Sequence, residues 1–81
     1  MSEYQPVRTM AELELLDSDE IVEGYRAGLD APFGAPEPGS DKSRSYWHGW
    51  RNARVDRGFA AHDGAQRQLA REYVGKYKGL N

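Results

Sequence analysis

The densest chemistry in the chain lies between Arg44 and Arg54. There Arg-Ser-Tyr-Trp-His-Gly-Trp-Arg-Asn-Ala-Arg places two tryptophans, one tyrosine and three arginines within eleven residues. Guanidinium groups beside an exposed aromatic ring suit RNA, because they offer phosphate contacts and a platform for base stacking. The same residue types concentrate at protein–protein hot spots. Catalysis has far less to work with. His48 and His62 are the only histidines, and neither has a second ligand at helical spacing, so both read as surface or capping side chains. Most carboxylates gather where helices should start, and capping explains them. Ser40, Ser43 and Ser45 have no His–acid pair to activate them. The glycines of the segment DAPFGAPEPG (residues 30–39) lack the strand–turn–helix setting of a phosphate loop. Without cysteine there is neither a thiolate metal site nor a disulfide framework. The expectation is a binding protein rather than an enzyme, with no cofactor, metal or small-molecule substrate.

The elements that must position these residues are helical. Thr9-Met-Ala-Glu12 and Asp17-Ser-Asp-Glu20 both fit a capping box, in which the first and fourth side chains satisfy orphan amides reciprocally. They predict a short helical turn over 10–15 and a full helix over 18–29. Ile21, Val22, Tyr25 and Leu29 form an apolar stripe on the latter. Gly24 and Gly28 each cost about 1 kcal/mol of helix propensity against alanine, which argues for close approach of another helix. Three prolines and two glycines then make residues 30–39 a loop, a spacer that Phe33 anchors to the core. A second main helix is predicted from about 41 to 57, opened by Ser40 or Ser43 and ended by Gly58. At about 100° per residue, Tyr46, Gly49, Trp50 and Ala53 share a core face, while Trp47 falls on the other side with Arg44, Arg51 and Arg54. The third main helix opens on Asp63, with Gln66 at the capping-box position, and stops at Gly79. Leu69, Tyr73, Tyr77 and Leu80 form its stripe, and Arg67, Arg71 and Lys78 lie off it.

The predicted fold class is therefore all-α: one domain over residues 1–81, with three main helices, a Pro/Gly-rich loop between the first two, and a flexible N-terminal segment over 1–10. Its structural core is Tyr25, Gly28, Tyr46, Gly49, Trp50, Ala53, Leu69 and Tyr73. With 38% hydrophobic and 30% charged residues in 81, burial leaves a net stability on the order of 3–5 kcal/mol. Such a chain leans on a partner or on a second copy as a homodimer. No apolar run approaches the roughly 20 residues of a membrane span, and residues 1–10 carry no signal-peptide pattern. A cytoplasmic protein with no membrane partner is expected.

The net charge of −2 conceals an asymmetry. Up to Pro38 there are nine acids against Arg8 and Arg26; from Gly39 onward there are nine bases against four acids, giving halves of −7 and +5. Either the halves attract within the fold, or one face is offered to a charged partner.

Two blocks carry a family resemblance. Gly24-Tyr25-Arg26-Ala27-Gly28 and the run from Arg44 and Ser45 through Trp47, Gly49, Trp50, Arg51 and Ala53 resemble the ribosome modulation factor family, small bacterial proteins that bind ribosomes during hibernation. With the loop between them, the blocks cover about residues 20–57. The resemblance implies two helices packed across a loop and docking on the ribosome, or another ribonucleoprotein, to regulate translation. It would put RNA- or partner-binding on Arg44, Trp47, Arg51 and Arg54, with Arg67 and Arg71 of the third helix as further cations. Where that family is strongly basic, this chain is net acidic, and short family members have no counterpart of the third helix. In size and charge alone the chain is similar to phage or mobile-element inhibitors of host defence complexes, such as anti-CRISPR proteins that bind Cas or Cascade proteins. On that alternative the protein-binding surface is Glu12, Glu14, Asp17, Asp19, Glu20 and Glu23.

Overall fold

The computed structural model describes the backbone of residues 5–78 and the side chains through Gly75. Four helices form in this span and no strand: α1 (Met10–Glu14), α2 (Ser18–Asp30), α3 (Arg44–Asp56) and α4 (Gly64–Lys78). The all-α reading holds, with three main helices after a single short turn of helix. The Tyr77 and Leu80 positions of the third stripe, the Lys78 side chain and the Gly79 stop lie outside the described residues, as do residues 1–4.

The start signals work as local chemistry dictates. Thr9 and Glu12 close a complete capping box on α1. Asp17 caps α2 by accepting from the amides of Asp19 and Glu20 at 2.9 and 3.2 Å. Its own N–H goes to Ser45 Oγ at 2.8 Å, so α3 supplies the acceptor expected of Glu20. Of the two candidate openers of α3, Ser43 is the cap, accepting from Tyr46 N–H at 3.1 Å. Residues 40–42 form a turn instead of a first helical turn. At the other end Gly58 adopts φ +78°. Its N–H reaches Val55 O, and Phe59 N–H reaches Arg54 O, the paired bonds of a Schellman stop that needs a left-handed residue. Asp63 and Gln66 cap α4 reciprocally at 2.7 and 2.9 Å.

The core is the α2–α3 pair, and glycine decides how close it comes. A Cβ on Gly49 would stand 1.9 Å from Ile21 O, and one on Gly24 would stand 2.0 Å from Tyr46 O. Each helix therefore presses a carbonyl into the place where the other lacks a side chain, and a Cβ on Gly28 would meet Trp50 O at 2.6 Å. Trp50 and Ala53 are buried against this seam. Tyr25 flanks it, its hydroxyl donating to Asp56 Oδ2 at 2.5 Å.

Other expected core positions fall elsewhere. Tyr46 and Leu69 are half-buried, and Lys42 lies over the Tyr46 ring at 5.0 Å. Tyr73 is exposed, as is every residue from Ala70 to Gly75. The reason is reach: α3 holds the start of α4 through Gln66 and Asn52, and beyond it the five-residue α1 supplies the bond from Met10 N–H to Glu72 Oε1. The segment before α1, expected to be loose, is tied down over residues 5–9. Val7 is buried, and Arg44 donates to the carbonyls of Gln5 and Pro6 at 2.8 and 3.0 Å.

Candidate nucleic-acid interface

In an amphipathic surface helix one face meets the core and the opposite face meets water. α3 does not behave this way. α2 covers the glycine side, the loop over residues 31–43 covers the Trp47 side, and the N-terminal segment and the start of α4 hold the rest. Trp47, placed on an outer face by its angular position, is 4% exposed, and its indole N–H donates to Gly39 O at 3.2 Å. It offers no platform for a base.

The arginines beside it are committed inside the fold. Arg54 is 5% exposed and donates to the carbonyls of Gly28, Ala31 and Pro32 at 3.0, 2.5 and 2.7 Å. Arg57 reaches Leu29 O. The last carbonyls of α2 point out of the helix with partial negative charge and no intrahelical donor, and these two guanidiniums satisfy them. Arg51 bridges Glu37 at 3.2 Å and Asp63 at 2.8 Å. Arg44, besides its two carbonyls, lies 3.7 Å from Glu12. Burial raises the pKa of Asp63, but the Gln66 amide and the Arg51 guanidinium outweigh it and leave the carboxyl below its ordinary value. Of the arginines expected to touch RNA, those on α3 are therefore structural: Arg44 and Arg54 hold backbone, and Arg51 holds two carboxylates.

His48, expected at the surface, is buried on the side of α3 toward α4. Asn52 Nδ2 donates to its Nε2 at 3.1 Å, and Gln66 Nε2 donates to Asn52 Oδ1 at 3.1 Å. Burial first, and the Arg44 charge second, lower the pKa of His48 below 6.5, as an imidazole that accepts a hydrogen bond requires. No group of histidines and acids suited to a metal occurs among the described residues.

Two surface features are left that suit RNA, and they adjoin. One is an open depression lined by His62, Gly64, Arg67, Ala70 and Arg71. Arg67 and Arg71 are exposed, and their side chains make no ion pair or hydrogen bond among the described residues, so both charges face solvent. The other is a cleft of about 340 Å³ whose aromatic walls are Phe33, Trp50 and Phe59, with Glu37, Arg51 and Gln66 among its polar residues. Phe33 is the wall that sequence reasoning misplaced. It is 75% exposed, held outward in a turn closed by Ala35 N–H on Pro32 O at 3.1 Å, with Gly34 at φ +84°. The turn itself was legible in Pro-Phe-Gly, because glycine supplies the positive φ that the third position of a type II turn needs. Phe59 meets Phe33 edge-on at 5.4 Å, with the guanidiniums of Arg54 and Arg57 each 4.6 Å from its centroid.

The acidic candidates divide similarly. Asp17 caps α2; Glu12 takes the amides of Arg8 and Thr9 and pairs with Arg44. The Arg8 amide is the main reason its pKa is lowered. Glu14 is exposed and Glu20 half-buried, whereas Asp19 and Glu23 point outward from α2 with Asp30 on the same stripe.

Comparison with protein-family models, with curated proteins and with solved structures finds no match for this chain. No helix among the described residues is long and apolar enough to cross a membrane.

Proposed function

We propose that this chain is a non-enzymatic docking protein of the ribosome modulation factor type, binding a ribonucleoprotein through the cationic face of α4 and the adjoining cleft. The observation that carries the reading is the seam itself. The two blocks that resemble that family, Gly24–Gly28 and Arg44–Ala53, lie on helices that meet face to face through Gly24, Gly28 and Gly49 at backbone contact. A packing solution speaks for a fold, and function has to come from a site. Here the site is Arg67 and Arg71, two charges that nothing in the described fold neutralises. RNA contact by such cations releases counterions, so binding weakens steeply with salt.

The test is co-sedimentation of the full chain with purified ribosomes across a salt series. Replacing Arg67 and Arg71 together by alanine should weaken binding and flatten the log–log salt slope by about 1 to 2 units. If the double variant sediments like the wild type at every salt, the assigned face is wrong.

A second reading has its own observation. Asp19, Glu23 and Asp30 form an exposed acidic stripe on α2, which fits an inhibitor that occupies a nucleic-acid-gripping surface of a protein complex. Asp19→Lys with Glu23→Lys separates the two, since it should abolish capture of such a complex and leave ribosome binding intact or stronger.

A further inference from the structure

The α4 cations account for phosphate contacts and leave the neighbouring cleft without an occupant. We infer that this cleft takes one unpaired nucleobase, so that the RNA bound here is single-stranded at that point; the inference rests on the RNA-docking reading above. Phe33 is the first reason. A phenylalanine that is 75% exposed contributes almost nothing to a core, yet the turn closed by the Ala35–Pro32 hydrogen bond and the left-handed Gly34 carries it at the cleft, beside the Phe59 ring. A solvent-facing ring is what base stacking uses, because every base has a π-face. Phe59 cannot serve, since two guanidiniums and the Phe33 ring already surround it.

Size and charge narrow the occupant. About 340 Å³ is at the small end of the roughly 300–1,000 Å³ of small-ligand sites, which admits a flat ring system and excludes a duplex. The cleft is cationic at its back, with Arg54 buried there, but Glu37 stands toward solvent with its carboxylate half exposed. That carboxylate repels a phosphate. It accepts a hydrogen bond from a base N–H or exocyclic amine, through the oxygen not engaged by Arg51. The base therefore goes into the cleft and its phosphates stay outside. Ala60 and Ala61 line the cleft, and the next residue, His62, begins the Arg67–Arg71 depression, so one strand can place a base in the first and phosphates on the second.

The experiment compares an oligouridylate of about ten nucleotides with an abasic strand of equal length and charge, each titrated into the full chain at low salt. Trp50, in the cleft wall, reports by fluorescence. The wild type should bind the base-bearing strand roughly 5- to 150-fold more tightly, the range of one stacked base. Phe33→Ala should erase that preference and leave abasic binding unchanged, while Phe33→Tyr restores it. An unchanged thermal melt for Phe33→Ala keeps the result from being a folding effect. Equal binding of the two strands, or a Phe33→Ala chain that still prefers bases, overturns the inference. If the preference is absent while ribosome binding still depends on Arg67 and Arg71, the cleft is refuted and the docking reading stands. If neither strand binds, the cleft inference also fails, and ribosome co-sedimentation judges the docking reading separately.

Discussion

Replacing Gly49 by alanine is the sharpest test of how this fold is held. Alanine is the better helix former by about 1 kcal/mol, so propensity alone predicts a gain. Geometry predicts the reverse. The new Cβ would stand 1.9 Å from Ile21 O, 2.8 Å from Tyr25 N and 2.9 Å from Ile21 C, all backbone atoms that no rotamer change can move aside. Ordinary carbon–oxygen contacts lie at about 3.3–3.6 Å, so α2 and α3 must part by more than 1 Å. A radial gap of that order forfeits about a quarter to a half of the dispersion energy along the seam. Overpacking of this kind costs typically 1–3 kcal/mol and sometimes more. With the seam loosened around Trp50 and Ala53, the net loss should be about 2–4 kcal/mol after the propensity gain. For a chain of this length such a loss should lower the midpoint of thermal unfolding by roughly 8–30 °C. Gly75→Ala is the internal control. It is the same chemical change within α4, where an added Cβ meets nothing within 4 Å, and it should raise the midpoint by a few degrees. Melts followed by far-ultraviolet circular dichroism give both values. Were Gly49→Ala to melt at or above the wild type, the helices would not be in backbone contact and the argument for the seam would collapse.

Two further outcomes follow from the groups buried around α3. Arg54→Met removes the donor from three carbonyls at the end of α2 and should cost about 2–4 kcal/mol in urea unfolding. Arg54→Lys should recover part of it, since one ammonium cannot span all three acceptors; equal stability of wild type and Arg54→Met would refute the capping role. His48 sets a pH dependence. Its folded pKa lies below 6.5 through burial, so protons bind the unfolded chain more readily. Stability is then complete above about pH 6.5 and falls as pH drops through that value, by up to about 1.4 kcal/mol per unit. His48→Gln should flatten the fall between about pH 6.5 and 5. Asp63 and Glu12, both held below their ordinary values, contribute in the same direction only at more acid pH.

The helices, their caps and the close glycine approach were legible because each depends on neighbours in sequence or on residue size alone. Ser43, Asp63 and Gly58 act through bonds spanning three or four residues. Gly24, Gly28 and Gly49 announce contact by lacking a side chain. The orientation of α3 was not legible. Sorting Trp47, Arg44, Arg51 and Arg54 onto one outer face is correct as geometry, but whether that face meets water depends on where residues 31–43 run. A loop of prolines and glycines gives no sign that its carbonyls, those of Ala31, Pro32 and Gly39, will turn inward to meet Arg54 and Trp47. The fate of the −7 half was equally hidden. The α3 arginines are matched by Glu12, Glu37, Asp63 and backbone oxygen rather than by the acids of α2. Intramolecular charge attraction therefore accounts for part of the asymmetry and leaves Asp19, Glu23, Arg67 and Arg71 facing outward.

That division explains how a segment with the composition of an RNA-binding helix becomes a scaffold. Only 38% of the residues are hydrophobic, too few to surround a 13-residue helix with aliphatic side chains on every side. Guanidinium groups supply the missing contacts. Their planes cover aromatic faces, as Arg54 does at 5.3 Å from Trp50 and 4.6 Å from Phe59, while their N–H groups satisfy carbonyls that a small fold cannot otherwise pair. No buried side-chain polar atom among the described residues lacks a partner. An arginine used this way is unavailable to phosphate, because withdrawing it would strand several acceptors at once. On the docking reading proposed above, binding falls to cations that the fold can spare, such as the exposed Arg67 and Arg71 on α4. On that reading, alanine substitution of Arg51 and Arg54 reports on folding, whereas substitution of Arg67 and Arg71 reports on binding.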